Sequence, residues 1–79
     1  MKIRVGGVKR VFIKEEYIKL DSFLKLAALV STGGEAKTVV QSGSVKVNGA
    51  VCIARGKKLR RGDVVRIHGE TLLVAQRDG

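Results

Sequence analysis

The apolar positions change their period along this chain, and each period predicts a different element. Near the start, Ile3 and Val5, then Val11 and Ile13, alternate loosely around Gly6-Gly7. That pattern predicts a hairpin or two short strands about a glycine turn. Tyr17-Ile18-Lys19-Leu20 predicts another extended piece leading into a helix. Leu20, Phe23, Leu24 and Ala27 then recur at helical spacing, with Leu26 and Val30 widening the stripe and Lys25 outside it. Asp21 is the expected N-cap of this helix, because its carboxylate can accept from a first-turn amide. Thr32-Gly33-Gly34-Glu35 fits the S/T-x-x-E capping box of a second helix, in which Thr32 and Glu35 satisfy each other's amides. Ala36, Val39 and Val40 supply its buried face, Lys37 and Thr38 point elsewhere, and Gly43 is a left-handed stop. Gly33-Gly34 predicts a tight approach of the backbone to whatever lies over the helix start.

Beyond the helices the period falls to two. Val45-Lys46-Val47 reads as a strand, Asn48-Gly49 as a two-residue hairpin turn, and Ala50 to Ala54 as the returning strand. After a basic loop, residues 63–67 and 71–75 predict a second hairpin across Gly69-Glu70. The sum is a small α+β domain, two short helices packed on a mainly antiparallel sheet. Residues 1–79 are expected to form one domain, with N-terminal strands over 1–19, a helix–hairpin core over about 19–67, and a last strand at 71–75.

Charge adds the first functional constraint. The 79 residues hold 16 Lys and Arg against 7 Asp and Glu, a formal charge of +9. Phosphate backbones are the commonest reason for such a balance, because each neutralised phosphate releases condensed counterions. No run approaches the roughly 18 apolar residues of a membrane span. Met1 to Gly7 also lacks the apolar stretch of a secretion signal, so the expected location is the cytoplasm, with no membrane partner.

Catalytic chemistry finds little material. Cys52 and His68 are each the single residue of their type and have no evident third partner for a nucleophilic constellation or a zinc site. Of the acids, Asp21 and Glu35 are assigned to caps and Asp63 to a turn. Neither glycine pair fits a P-loop or a dinucleotide fingerprint. The expectation is a protein that is not an enzyme, with no cofactor, no metal and no small-molecule substrate.

The cations carry the sharper signal. Arg55-Gly56-Lys57-Lys58-Leu59-Arg60-Arg61-Gly62 places five cations in eight residues. Leu59 would pin the segment to the core and hold its charges in place, and Gly56 would let backbone amides approach phosphate. The start of the second helix is a further expected anion site, through the amides of Gly34, Glu35 and Ala36 with Lys37 one turn in. Lys25 and Lys46 would extend the patch, and Asn48 could bond to sugar or base. Phe12, Tyr17 and Phe23 are few for stacking on single-stranded bases, which favours recognition of folded RNA by shape and phosphate.

Leu20-Asp21-x-x-Leu24, Gly34-Glu35-Ala36-Lys37, Gly43-x-Val45-x-Val47-Asn48-Gly49 and Gly62-Asp63-x-Val65 together resemble the S4 RNA-binding domain. The resemblance covers roughly residues 19–67. It implies a helix–loop–helix followed by a β-hairpin, the αL motif, with structured RNA, ribosomal RNA among the candidates, as ligand. In place of the family's usual Ser-Arg at the start of the second helix stands Thr32-Gly33-Gly34, with the cation at Lys37 instead. That substitution and Arg55-Gly56-Lys57-Lys58-Leu59 are similar to the small stand-alone bacterial S4-like proteins of the YaaA/YbcJ type. The expected site is therefore Lys25, Gly33, Gly34, Lys37, Lys46, Asn48, Arg55, Lys57, Lys58, Arg60 and Arg61 on a monomer bound to structured RNA or the ribosome. The alternative is a basic adaptor that meets an acidic protein partner.

Overall fold

The computed structural model describes residues 7–77. Seven strands and two helices follow in the order β1 (Val8–Ile13), β2 (Tyr17–Lys19), α1 (Leu20–Leu26), α2 (Gly33–Gln41), β3 (Val45–Val47), β4 (Ala50–Val51), β5 (Lys58–Arg60), β6 (Val64–Ile67) and β7 (Glu70–Gln76). Five strands form one sheet in the order β1-β7-β6-β3-β4, and β2 with β5 forms a separate two-stranded ribbon. All sheet pairings are antiparallel except β1 with β7, which run parallel from Val8 opposite Thr71 to Ile13 opposite Gln76. The architecture is the expected α+β one, two helices on a mainly antiparallel sheet, with β1–β7 as its parallel pair.

The N-terminal pattern resolves differently from the expected hairpin. Val11 and Ile13 are buried as a strand should bury them, but their partner is the C-terminal β7. The part of that expectation around Ile3 and Val5 lies outside the described residues.

Alternation along the sheet strands buries Val11, Ile13, Val45, Val47, Val65, Ile67, Leu72 and Val74 on one face. These join Leu20, Phe23, Leu24, Ala27, Val30, Ala36, Val40 and Leu59 in one core. The helices thus cover one face of the five-stranded sheet. Both tight hairpins turn on a left-handed pair: Asn48 and Gly49 at φ 52 and 87, and His68 and Gly69 at φ 52 and 78. This is the type I′ pattern whose twist suits two-residue hairpins, and the second position strongly favours glycine. The second turn therefore sits one residue earlier than Gly69-Glu70, and Glu70 begins β7. The strand after Asn48-Gly49 is also shorter than expected. Beyond Val51 only the Cys52 amide, 2.9 Å from the Val45 carbonyl, continues the ladder before the chain leaves for α1.

Helix α1 ends sooner than its apolar stripe predicts. The amides of Ala28 and Leu29 donate to the carbonyls of Lys25 and Leu24, each at 3.0 Å, and Ala28 has φ 62. This is a Schellman closure with alanine where glycine is usual. Leu26 lies about 60° beyond Phe23 around the helix, on the side away from Leu24, so its side chain falls outside the buried stripe and is 53% exposed, contrary to the expectation. Val30 is buried, but from the connection between the helices.

Candidate nucleic-acid interface

The basic segment is fixed to the fold in three ways. Leu59 is fully buried, as its place between cations predicts. Lys58–Arg60 pairs with Tyr17–Lys19, so the expected loop is in part a strand. The third tie was not anticipated: the Lys57 carbonyl accepts from the Leu20 amide at 2.8 Å, and the Arg55 carbonyl from the Asp21 amide at 3.0 Å. These carbonyls cap α1, satisfying first-turn donors that an isolated helix leaves open. Asp21 is accordingly not the N-cap. That position belongs to Lys19, which makes no side-chain cap, while Asp21 Oδ1 accepts from the Ser22 amide at 2.7 Å.

Antiparallel register puts Lys19 directly opposite Lys58 and Tyr17 opposite Arg60, with all four side chains exposed and Ile18 and Leu59 turned inward. The Lys58 ammonium lies 4.8 Å and the Arg60 guanidinium 5.8 Å from the centre of the Tyr17 ring. Arg60 also reaches Glu16 at 3.8 Å. Lys19 and Tyr17 were not among the sequence-predicted site residues. The local sequence shows them only as an extended run; the signal that finds them is the ribbon pairing, which joins residues about forty apart. Like charges directly opposite each other cost stability, so the ribbon concentrates positive charge where the fold would prefer less.

The hairpin turn closes this segment. Asp63 accepts from the Arg60 amide at 2.8 Å through Oδ2 and from Asn48 Nδ2 at 3.1 Å through Oδ1. Asn48 Oδ1 in turn accepts from the Val64 amide at 2.9 Å. Asn48, expected to meet RNA, therefore braces the β3–β4 turn against the start of β6. One Nδ2 hydrogen remains for any ligand.

At α2 the capping box forms in altered shape. The Glu35 amide donates to Thr32 Oγ1 at 3.0 Å, but the Glu35 carboxylate accepts from the Ser31 amide at 2.7 Å rather than from Thr32. The Ala36 amide bonds to the Thr32 carbonyl at 3.0 Å. Of the three amides expected to be open, those of Glu35 and Ala36 are thus occupied. Gly33 and Gly34 lie inside the first turn without positive φ, and a Cβ on Gly33 would meet nothing within 4 Å. They leave their amides accessible without any close backbone approach, and the Glu35 carboxylate already offsets part of the helix dipole there.

The remaining candidates divide. Lys25, Lys37, Arg55, Lys57 and Arg61 are exposed. The basic segment abuts the first turn of α1, and α2 follows α1 after the connection over residues 27–32. Lys46 belongs elsewhere: Val45 and Val47 face the core, which turns Lys46 to the opposite face of the sheet from the helices. Among the described residues, no three His, Cys, Asp or Glu side chains converge to hold a metal ion, and no helix is long and apolar enough to cross a membrane.

A helix pair followed by a β-hairpin, with a cationic segment docked on the first helix, defines a small α+β domain. The sequence model of the S4 domain matches residues 11–75, and the chain belongs to that family. It is 44% identical over 59 residues to the "Probable ribosome maturation protein RlbA" of Bacillus subtilis (strain 168), an alignment covering 75% of this chain and 83% of that protein. Among solved structures it is similar to the 30S ribosomal protein S4e of Thermoplasma acidophilum, with TM-score 0.56 and 26% identity. That match covers 73% of this chain and 31% of the ribosomal protein, so the chain spans under a third of its length.

Proposed function

We propose that this protein is a non-catalytic RNA-binding module that docks on structured RNA, with ribosomal RNA the ligand class. The observation that carries the reading is the pinned ribbon, where Lys19, Lys58 and Arg60 stand together around Tyr17. Arg55 and Lys57 continue it at the first turn of α1, and Arg61 follows at its other end. Buried Leu59 and the capping carbonyls hold these charges before any ligand arrives, so less entropy is lost on binding. Lys25 and Lys37, with the open amides of Gly33 and Gly34, extend the contact toward the start of α2. Asn48 acts by shaping the turn. The ribosome-related relatives support the choice of ribosomal RNA and a working place in the cytoplasm, and the binding unit of the proposal is a monomer.

The test is binding to an RNA stem-loop followed by fluorescence anisotropy across a salt series. Phosphate contacts from the six cations of the ribbon and its two flanks predict that log affinity falls by about 4–5 for each unit of log salt. Reversing both Lys57 and Lys58 to Glu should abolish binding while leaving the circular dichroism spectrum intact. A DNA duplex of equal length should compete poorly. Unchanged affinity in the double variant removes the ribbon from the site. Equal competition by any polyanion, or preference for an acidic protein, removes the RNA reading itself.

A further inference from the structure

The face of the five-stranded sheet turned away from the helices is open, and its composition is lopsided. Alternation sends Arg10 and Phe12 of β1, Leu73 of β7, Arg66 of β6 and Lys46 of β3 outward. Lys46 stands directly opposite Arg66 in the β3–β6 pairing, and Arg10 lies beside Leu73 in the β1–β7 pairing. No carboxylate occupies an outward position on these four strands. Among the described residues, none of Arg10, Lys46 and Arg66 makes an ion pair. At the β1 edge the Phe12 ring is 43% exposed, and the Arg77 guanidinium lies 5.1 Å from its centre.

Two features of this face cost the isolated protein stability. The Lys46–Arg66 pair is a second directly opposed like-charge pair, which costs stability in the isolated protein. Phe12 leaves part of a large apolar ring exposed beside Leu73 and Ala75, which are half-buried. Both costs are recovered by one kind of occupant, a chain that alternates anionic groups with flat apolar rings.

We infer that this outer sheet face is a second RNA-binding surface, which takes an unpaired RNA strand while the ribbon holds the folded part. From β1 to β3 the face spans about 14 Å, three inter-strand gaps. One exposed ring on an open sheet face can carry a stacked base, with the neighbouring nucleotides held through their phosphates. Phe12 supplies the stacking platform, with a base lying on the Arg77 guanidinium plane or taking its place over the ring. Arg10, Arg66 and Lys46 neutralise the backbone. Phe23 and Tyr17 do not compete for this role, since Phe23 is fully buried and Tyr17 belongs to the separate β2–β5 ribbon. The scarcity of aromatic residues that argues against stacking in the sequence is thus offset by the placement of one of them.

This inference rests on the reading of the protein as an RNA binder, and its test separates the two. Anisotropy is measured with a short unstructured oligouridylate, with an RNA stem-loop, and with vesicles containing phosphatidylglycerol. Phe12→Ala and, separately, Arg66→Gln should each weaken oligouridylate binding by about fivefold or more while leaving the stem-loop affinity nearly unchanged. Lys57→Glu with Lys58→Glu should do the reverse. If the wild type binds the stem-loop but the sheet variants bind oligouridylate as well as it does, the second surface is wrong and the ribbon reading survives. If the sheet variants lose vesicle binding alone, the face meets a membrane and the inference fails. If the wild type binds neither RNA, both readings fall together.

Discussion

Lys58→Glu should separate binding from folding, because the same charge acts on both with different signs. Lys58 faces Lys19 across the ribbon, with both ammonium groups exposed. Opposed like charges cost ~0.2–1 kcal/mol, and screening at exposed groups puts this pair near about 0.3 kcal/mol. Reversal turns that repulsion into a similar attraction, a gain of about 0.6 kcal/mol. Against it stands the loss of the ammonium 4.8 Å from the Tyr17 ring, worth about 0.5 kcal/mol at an exposed site. The two nearly cancel, so the melting temperature should move by no more than about 4 °C. Binding has no such compensation. One charge-assisted phosphate contact, about 1.5–3 kcal/mol, is replaced by a repulsion, so affinity for the stem-loop should fall by more than about tenfold. The salt slope should shrink by about 0.9. Thermal melting and anisotropy on the same samples measure both. A large drop in melting temperature would show that Lys58 serves the fold rather than the ligand, and an unchanged salt slope would show that it touches no phosphate.

Two further predictions concern the supports of the site. Asn48→Ala removes the bonds to Asp63 and to the Val64 amide and forces alanine to φ 52, so unfolding in urea should show a loss of about 2 kcal/mol, with Asn48→Gly restoring the part due to φ. Ala28→Gly relieves the left-handed alanine at the end of α1 and should stabilise by about 0.5–1 kcal/mol; a destabilised variant would contradict the Schellman closure.

Much of this protein is decided by near neighbours. Val45-Lys46-Val47 followed by Asn48-Gly49 specifies a strand and a type I′ turn, because period-two burial and two left-handed residues leave few alternatives. Thr32 and Glu35 fix where α2 begins, and Leu59 among cations identifies a basic segment tied to the core. The motif residues from Leu20 to Val65 likewise make the S4 family legible in the sequence.

What the chain could not announce are the pairings between distant segments. An alternating β1 suits a local hairpin as well as it suits the parallel register with β7, since both bury Val11 and Ile13. A helix start predicts that its amides need partners, but not that carbonyls of Arg55 and Lys57 provide them in place of Asp21. Lys19 and Tyr17 become part of a cationic ribbon only once β2 meets β5, and Lys46 parts from the helices only once β3 shows which face the core takes. Period and capping act over a few residues and are written in order along the chain. Partner choice between strands depends on which buried faces close one core together, and that is settled only in three dimensions.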